Sequence, residues 1–255
     1  MDHKIKRYGW VPDFPDHRDH LYAAPVVNLA ALPPSVDLRP KCPPVYDQGQ
    51  LGSCTANAIA AAIQFDRGKQ SLLPDFVPSR LFIYYNERVI EHTVQSDSGA
   101  MIRDGIKSVG DNGDCPEDEW PYDLAKFATQ PPQSCYQDAT QYKAVQYQRL
   151  VQNVNQMKGC LASGYPFVFG FSVYESFESE AVAKTGIAPM PSPSEKLLGG
   201  HAVLAVGYDD SHQWFWVRNS WGSSWGMAGY FALPYGYLID SNLSDDFWTI
   251  RLIAG

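Results

Sequence analysis

The sequence holds no apolar run on the order of 18 residues, so nothing in it reads as a membrane-spanning helix. Residues 1–8 lack the apolar core of a secretory signal, and the chain reads as soluble with no visible export tag. Its compartment stays open, a secreted or periplasmic place included. Basic residues are also scarce: 20 Lys and Arg stand against 28 Asp and Glu, giving a net charge of −8. Nucleic acids and anionic membranes recruit basic surfaces, so neither is expected as the main partner. There is no internal repeat, no low-complexity tract and no C-x-x-C spacing, which argues against zinc; no metal and no cofactor are expected. Histidine is sparse, with none between His92 and His201. His3, His17 and His20 lie in a proline-broken stretch that offers no helix to set two rings on one face, so they are not read as ligands. The acidic stretch 111–119 reads as a solvated face.

What the chain does have is length for one large core or two lobes, with an ordinary 45% of hydrophobic and 19% of charged residues among 255. Gln48-Gly49-Gln50-Leu51-Gly52-Ser53-Cys54 runs into an alanine-rich stretch, 55–67, with apolar positions Ala58, Ile59, Ala62, Ile63 and Phe65 at helical spacing. A thiol at such a helix start faces unpaired N–H groups and the positive end of the helix dipole, both of which favour the thiolate. Residues 79–92 show a second helical pattern. From about residue 146 the pattern turns to strands, at 166–173, 203–208 and 213–218, with a surface loop at 189–194. Periodicity thus gives a two-part α+β protein. Residues 1–31 are dense in Pro, Asp and aromatics and have no helical period, which suggests an extended segment held against something.

Further along come Gly199-Gly200-His201-Ala202-Val203 and Arg218-Asn219-Ser220-Trp221-Gly222-Ser223-Ser224-Trp225-Gly226. With Cys54, the order Cys, His, Asn resembles the papain-like cysteine peptidases, from about Pro33 to the C-terminus. The Cys to His separation falls within the roughly 130 to 150 residues usual there, and the longer one to Asn219 fits loop insertion. Leu32-Pro33-Pro34-Ser35-Val36-Asp37-Leu38-Arg39 resembles the mature N-terminus of that family. Leu51 and Thr55 depart from it, standing where a cysteine and a tryptophan are usual, and Gly200 stands where Asp or Asn often precedes the histidine.

The resemblance implies a papain-like two-lobed α+β fold: a helical lobe over about 40–135 and a β-rich lobe over about 136–240 plus a C-terminal strand, within a domain 32–255. It implies a cysteine endopeptidase with Cys54 as nucleophile, His201 as its proton partner, Asn219 orienting the imidazole and Gln48 donating to the oxyanion. Trp221 would shield the His to Asn hydrogen bond, and Trp225 would line the leaving-group side. Gly99, Ala100 and Gly200 would bind substrate. The remaining thiols, Cys42, Cys115, Cys135 and Cys160, could pair in three ways or stay free. Expected partners are peptide or protein substrates and the chain's own residues 1–31, acting as a short latency segment on a monomer. That segment would run through the cleft in reverse or with its carbonyls away from Cys54, anchored by Trp10, Phe14 and Tyr22. A papain-fold binding protein with a permanently blocked cleft, or an exopeptidase, are the alternatives.

Overall fold

The computed structural model describes residues 8–254; His3 and the rest of the expected segment before Tyr8 lie outside them. In chain order the strands are β1 (Trp10–Val11), β2 (Leu21–Tyr22), β3 (Ser35–Asp37), β4 (Ala100–Met101), β5 (Ala144–Leu150), β6 (Phe167–Tyr174), β7 (Leu197–Asp209), β8 (Trp214–Arg218), β9 (Tyr230–Pro234) and β10 (Ser244–Ile253). The α-helices are α1 (Val26–Leu29), α2 (Cys54–Gln70), α3 (Arg80–Ile90), α4 (Ile102–Asp111), α5 (Gln133–Ala139), α6 (Val154–Ala162), α7 (Glu180–Thr185) and α8 (Tyr235–Ile239).

Helix α2 explains its own composition. Thirteen of its seventeen residues are buried, so it is covered on nearly every side, and its alanines let it approach β7 and β10 closely. Its weak amphipathicity follows from that position. Helix α3 starts at Ser79, whose hydroxyl accepts the Phe82 N–H at 3.2 Å, and turns Leu81, Phe82 and Tyr84 inward. With α4 and α5 these helices make one lobe.

The second lobe is an eight-stranded sheet in the order β2-β5-β10-β6-β7-β8-β9, with β3 paired to the far end of β7. Strand β7 is longer than the apolar run 203–208 suggested, because β6 pairs with it through Gly199 and Gly200, where the sequence shows no alternation. The register sets Phe171 opposite His201, and β8 returns antiparallel so that Asn219 follows its last residue.

Residues 8–24 cross both lobes. Strand β1 lies parallel to β4 in a two-stranded sheet, and β2 adds to the large sheet as an edge strand parallel to β5. Two expectations change here. Phe14 is no anchor: it is 73% exposed, and only its carbonyl is used, by Arg103. The stretch 111–119 is not simply a solvated face either, since Asp114 is fully buried and Glu117 pairs with Arg80 at 2.7 Å.

Candidate active site

Cys54 opens α2. Ser53 precedes it without capping the helix, because its hydroxyl is engaged by Tyr122 and by the Asn57 amide. The first-turn N–H groups are thereby left without a side-chain acceptor, and that of Thr55 is turned toward the Cys54 sulfur. Thr55, where a tryptophan is usual, donates its hydroxyl to the buried carboxyl of Glu87 at 2.7 Å. Burial holds that carboxyl well above the usual range, which favours its neutral form at the start of α2. Leu51, where a cysteine is usual, packs into the core.

From the sheet side, Ala202 N–H reaches the Cys54 sulfur at 3.3 Å, which sets the residue after His201 against that sulfur. His201 Nε2 lies 2.8 Å from Asn219 Oδ1, which also accepts the Ser220 N–H at 2.8 Å. An amide oxygen only accepts, so Nε2 carries the proton and Nδ1 keeps a lone pair. That Nδ1 is buried and has no hydrogen-bond partner. Trp221 stacks on the imidazole at 5.0 Å between centroids, and Trp225 meets Trp221 edge-on at 5.1 Å, both indoles being buried. Gln48 is buried too: its Oε1 accepts the Ser220 hydroxyl at 2.6 Å, and its amide donates to Leu51 O at 2.9 Å. Tyr122, which no sequence pattern marks, donates to Gln48 O at 3.0 Å and braces the turn.

The cleft between these walls holds the chain's own residues 8–11. Gly9 turns its N–H toward the Cys54 sulfur, while its carbonyl accepts from Ala100 N at 2.8 Å. A side chain could not stand there, because a Cβ on Gly9 would lie 1.8 Å from Gly52 O. Tyr8 donates to Glu178 and meets His201 edge-on at 6.3 Å. Trp10 lies against Gly170 and Gly200 and donates to Asp246 at 3.0 Å. Beyond the cleft, Asp13 donates its N–H to Asp246 at 2.8 Å, and Asp19 is forked by Arg103 at 2.6 and 3.0 Å. None of these acidic pairings was foreseen, although Asp13 and Asp19 in the segment were the visible signal.

Cys54 and His201 both have 0% exposure under this cover. Burial pushes the thiol up to about 12, against the pull of the Ala202 and Gly9 N–H groups, and pushes the imidazole down to about 4, against the pull of Asn219. Both shifts favour a neutral thiol and a neutral imidazole, where the helix start alone suggests a thiolate. The difference is water, which the docked segment excludes.

All five cysteines are free thiols in this structure. Cys115, Glu119 and Cys135 bring their ligand atoms within 4.8 Å of one another, three donors where a closed zinc site takes four. Among the described residues no helix is long and apolar enough to cross a membrane.

The comparisons agree with this geometry. The profile of papain family cysteine proteases matches residues 32–245. An uncharacterized peptidase C1-like protein of Acanthamoeba polyphaga mimivirus is 44% identical, over 98% of this chain and 88% of its own. Bovine pro-cathepsin H is 29% identical over 80% of this chain, which spans 60% of that relative's length. Among solved structures, xylellain, a cysteine protease from Xylella fastidiosa, has 50% identity and a TM-score of 0.90, covering 96% of this chain and 95% of its own. Procathepsin B S9 from Trypanosoma congolense shares the fold at a TM-score of 0.74 and 19% identity, over 93% and 84% of the two chains. This chain belongs to the papain family of cysteine proteases.

Proposed function

We propose that the protein is a cysteine endopeptidase that works through Cys54 and His201 and is held latent by its N-terminal segment, residues 1–31. In the open enzyme, Nδ1 of His201 takes the thiol proton and the sulfur attacks a peptide carbonyl carbon. Water entering the cleft lowers the cost of that ion pair. The oxyanion is met by the Cys54 N–H and the Gln48 amide. His201, fixed by Asn219, returns the proton to the departing amine; the thioester left on Cys54 is then hydrolysed by water. Gly99, Ala100 and Gly200 bind the substrate backbone, Trp221 keeps water from the His to Asn bond, and Trp225 lies behind the leaving-group side.

One observation carries the latency reading: Gly9 offers the sulfur an N–H and gives its carbonyl to Ala100. The group turned to the sulfur is an N–H and not a carbonyl carbon, which supports a segment that fills the cleft without being cut. Its direction fits. The leaving amine must depart beside His201, where Tyr8 lies, so the acyl side is that of Trp10. A substrate runs from acyl to leaving side, and residues 8–11 run the other way.

The full burial of Cys54 and the seating of β2 in the sheet favour one second reading, a binding protein whose cleft never opens. A vinyl-sulfone electrophile followed by peptide mapping separates the two. The expected result is one label, on Cys54, with loss of peptide hydrolysis, and no hydrolysis by Cys54→Ala or His201→Ala. A folded Gly9→Ala protein that takes no label would mean the permanently blocked cleft. Equal cleavage of end-blocked and free-ended peptides distinguishes an endopeptidase from an exopeptidase.

A further inference from the structure

The pocket that Trp10 occupies is shaped by absences. A Cβ on Gly170 would lie 2.0 Å from Trp10 Cε2, and one on Gly200 2.7 Å from Cε3, so two glycines make the slot for the ring. Its far end is Asp246, a residue with no exposed surface. One carboxylate oxygen accepts from Arg149 Nη2 at 2.9 Å; the other accepts both Trp10 Nε1–H at 3.0 Å and Asp13 N–H at 2.8 Å. Asp246 keeps a left-handed φ of +59°, a cost that an ordinary surface aspartate has no reason to bear.

We infer that this pocket selects substrates with a large, flat, neutral side chain bearing an N–H at its far edge, tryptophan foremost, at the residue preceding the cleaved one, and that Asp246 reads the donor. The inference rests on the peptidase reading above. Gly9 sits over the sulfur and Trp10 on the acyl side, so a substrate's second acyl-side residue takes the place of Trp10. When the segment leaves, the second oxygen of Asp246 loses both donors at once while Arg149 stays on the first. A buried acceptor stripped of its donors favours a ligand that supplies one. A cationic side chain fits less well. Arg149 already neutralises Asp246, so an incoming guanidinium would meet one that is already in place.

The test uses full-length protein carrying Trp10→Gly, which vacates the pocket, and a mixture of end-blocked peptides differing only at that residue: Trp, benzothienylalanine, Phe, Leu or Arg. Ratios of kcat/KM within one mixture do not depend on how much enzyme is open. Benzothienylalanine has the shape of tryptophan without its N–H, so the expected preference for Trp over it is roughly 10-fold, the low end for a hydrogen bond to a charged acceptor. Gly170→Ala should move the preference toward Leu. Equal rates for Trp and benzothienylalanine, or a preference for Arg, would overturn this inference alone. Absence of all cleavage by a protein whose Cys54 takes the electrophile would overturn the peptidase reading and this inference together.

Discussion

The N-terminal segment binds by two different chemistries. Residues 8–11 hold the cleft through backbone, one glycine squeeze and two aromatic side chains, Tyr8 and Trp10, that donate to carboxyl groups of Glu178 and Asp246 but carry no charge themselves. Residues 13–22 hold the outside through buried ions and a strand edge: Asp13 and Asp19 meet Arg103 and Arg149, and Tyr22 packs beside β5. On the proposed latency, a plug must leave for the site to work, and contacts that water can replace suit that. A tether need not leave, and is built of buried charges that are costly to separate.

Breaking the tether should have the largest effect. Arg103→Ala takes from Asp19, which is shielded from water, its two closest donors and leaves it only Arg149 at 3.3 Å, and we expect a loss of about 3 kcal/mol in denaturant unfolding. An unchanged midpoint would show that the two stretches do not differ in this way. Breaking the plug should act on access instead. Gly9→Ala drives a methyl into Gly52 O, and Cys54 alkylation should rise at least roughly 10-fold, a shift of about 1.4 kcal/mol in opening, with little change in global stability.

A pH series sharpens the division further. Burial raises Asp246 to about 7 and raises Asp13 as well, and release returns Asp13 to water. The docked state therefore binds more protons, so its stability is present at low pH and is lost as pH rises through about 7. Exchange of the Ala100 amide, corrected for its intrinsic rate, should quicken above that pH by at most about 10-fold per unit for one proton. Faster corrected exchange at pH 5 than at pH 8 would contradict it. The smallest effect is expected from Phe14→Ala, within about 0.5 kcal/mol, because the ring is in solvent.

The family and the two-part fold were legible because their signals are local: a cysteine opening a helix, and strand runs flanking a histidine and an asparagine. Helix α2 was readable from its small residues, and α3 from its apolar period. Helix α4 was not, because it is short and interrupted by Gly105 and Gly110, although Ile102, Ile106 and Val109 line one buried face. The docking of residues 8–22 depends on pairings across the whole chain, such as Trp10 with Asp246, and no local pattern announces these. Its proline and aromatic content suggested a docked segment but could not say that Phe14 would face solvent.

Strand β2 carries one more consequence. The turn around Phe14 to Arg18 is exposed, while Tyr22 on its far side is buried in a strand of the main sheet. Exposed turns are where a chain is nicked most readily. On the proposed latency, a cut there would free the tip that fills the cleft and leave the rest of the segment paired to β5. Activation would then be visible as a new N-terminus near residue 15 in denaturing analysis, while a sizing column would register almost no change in the particle.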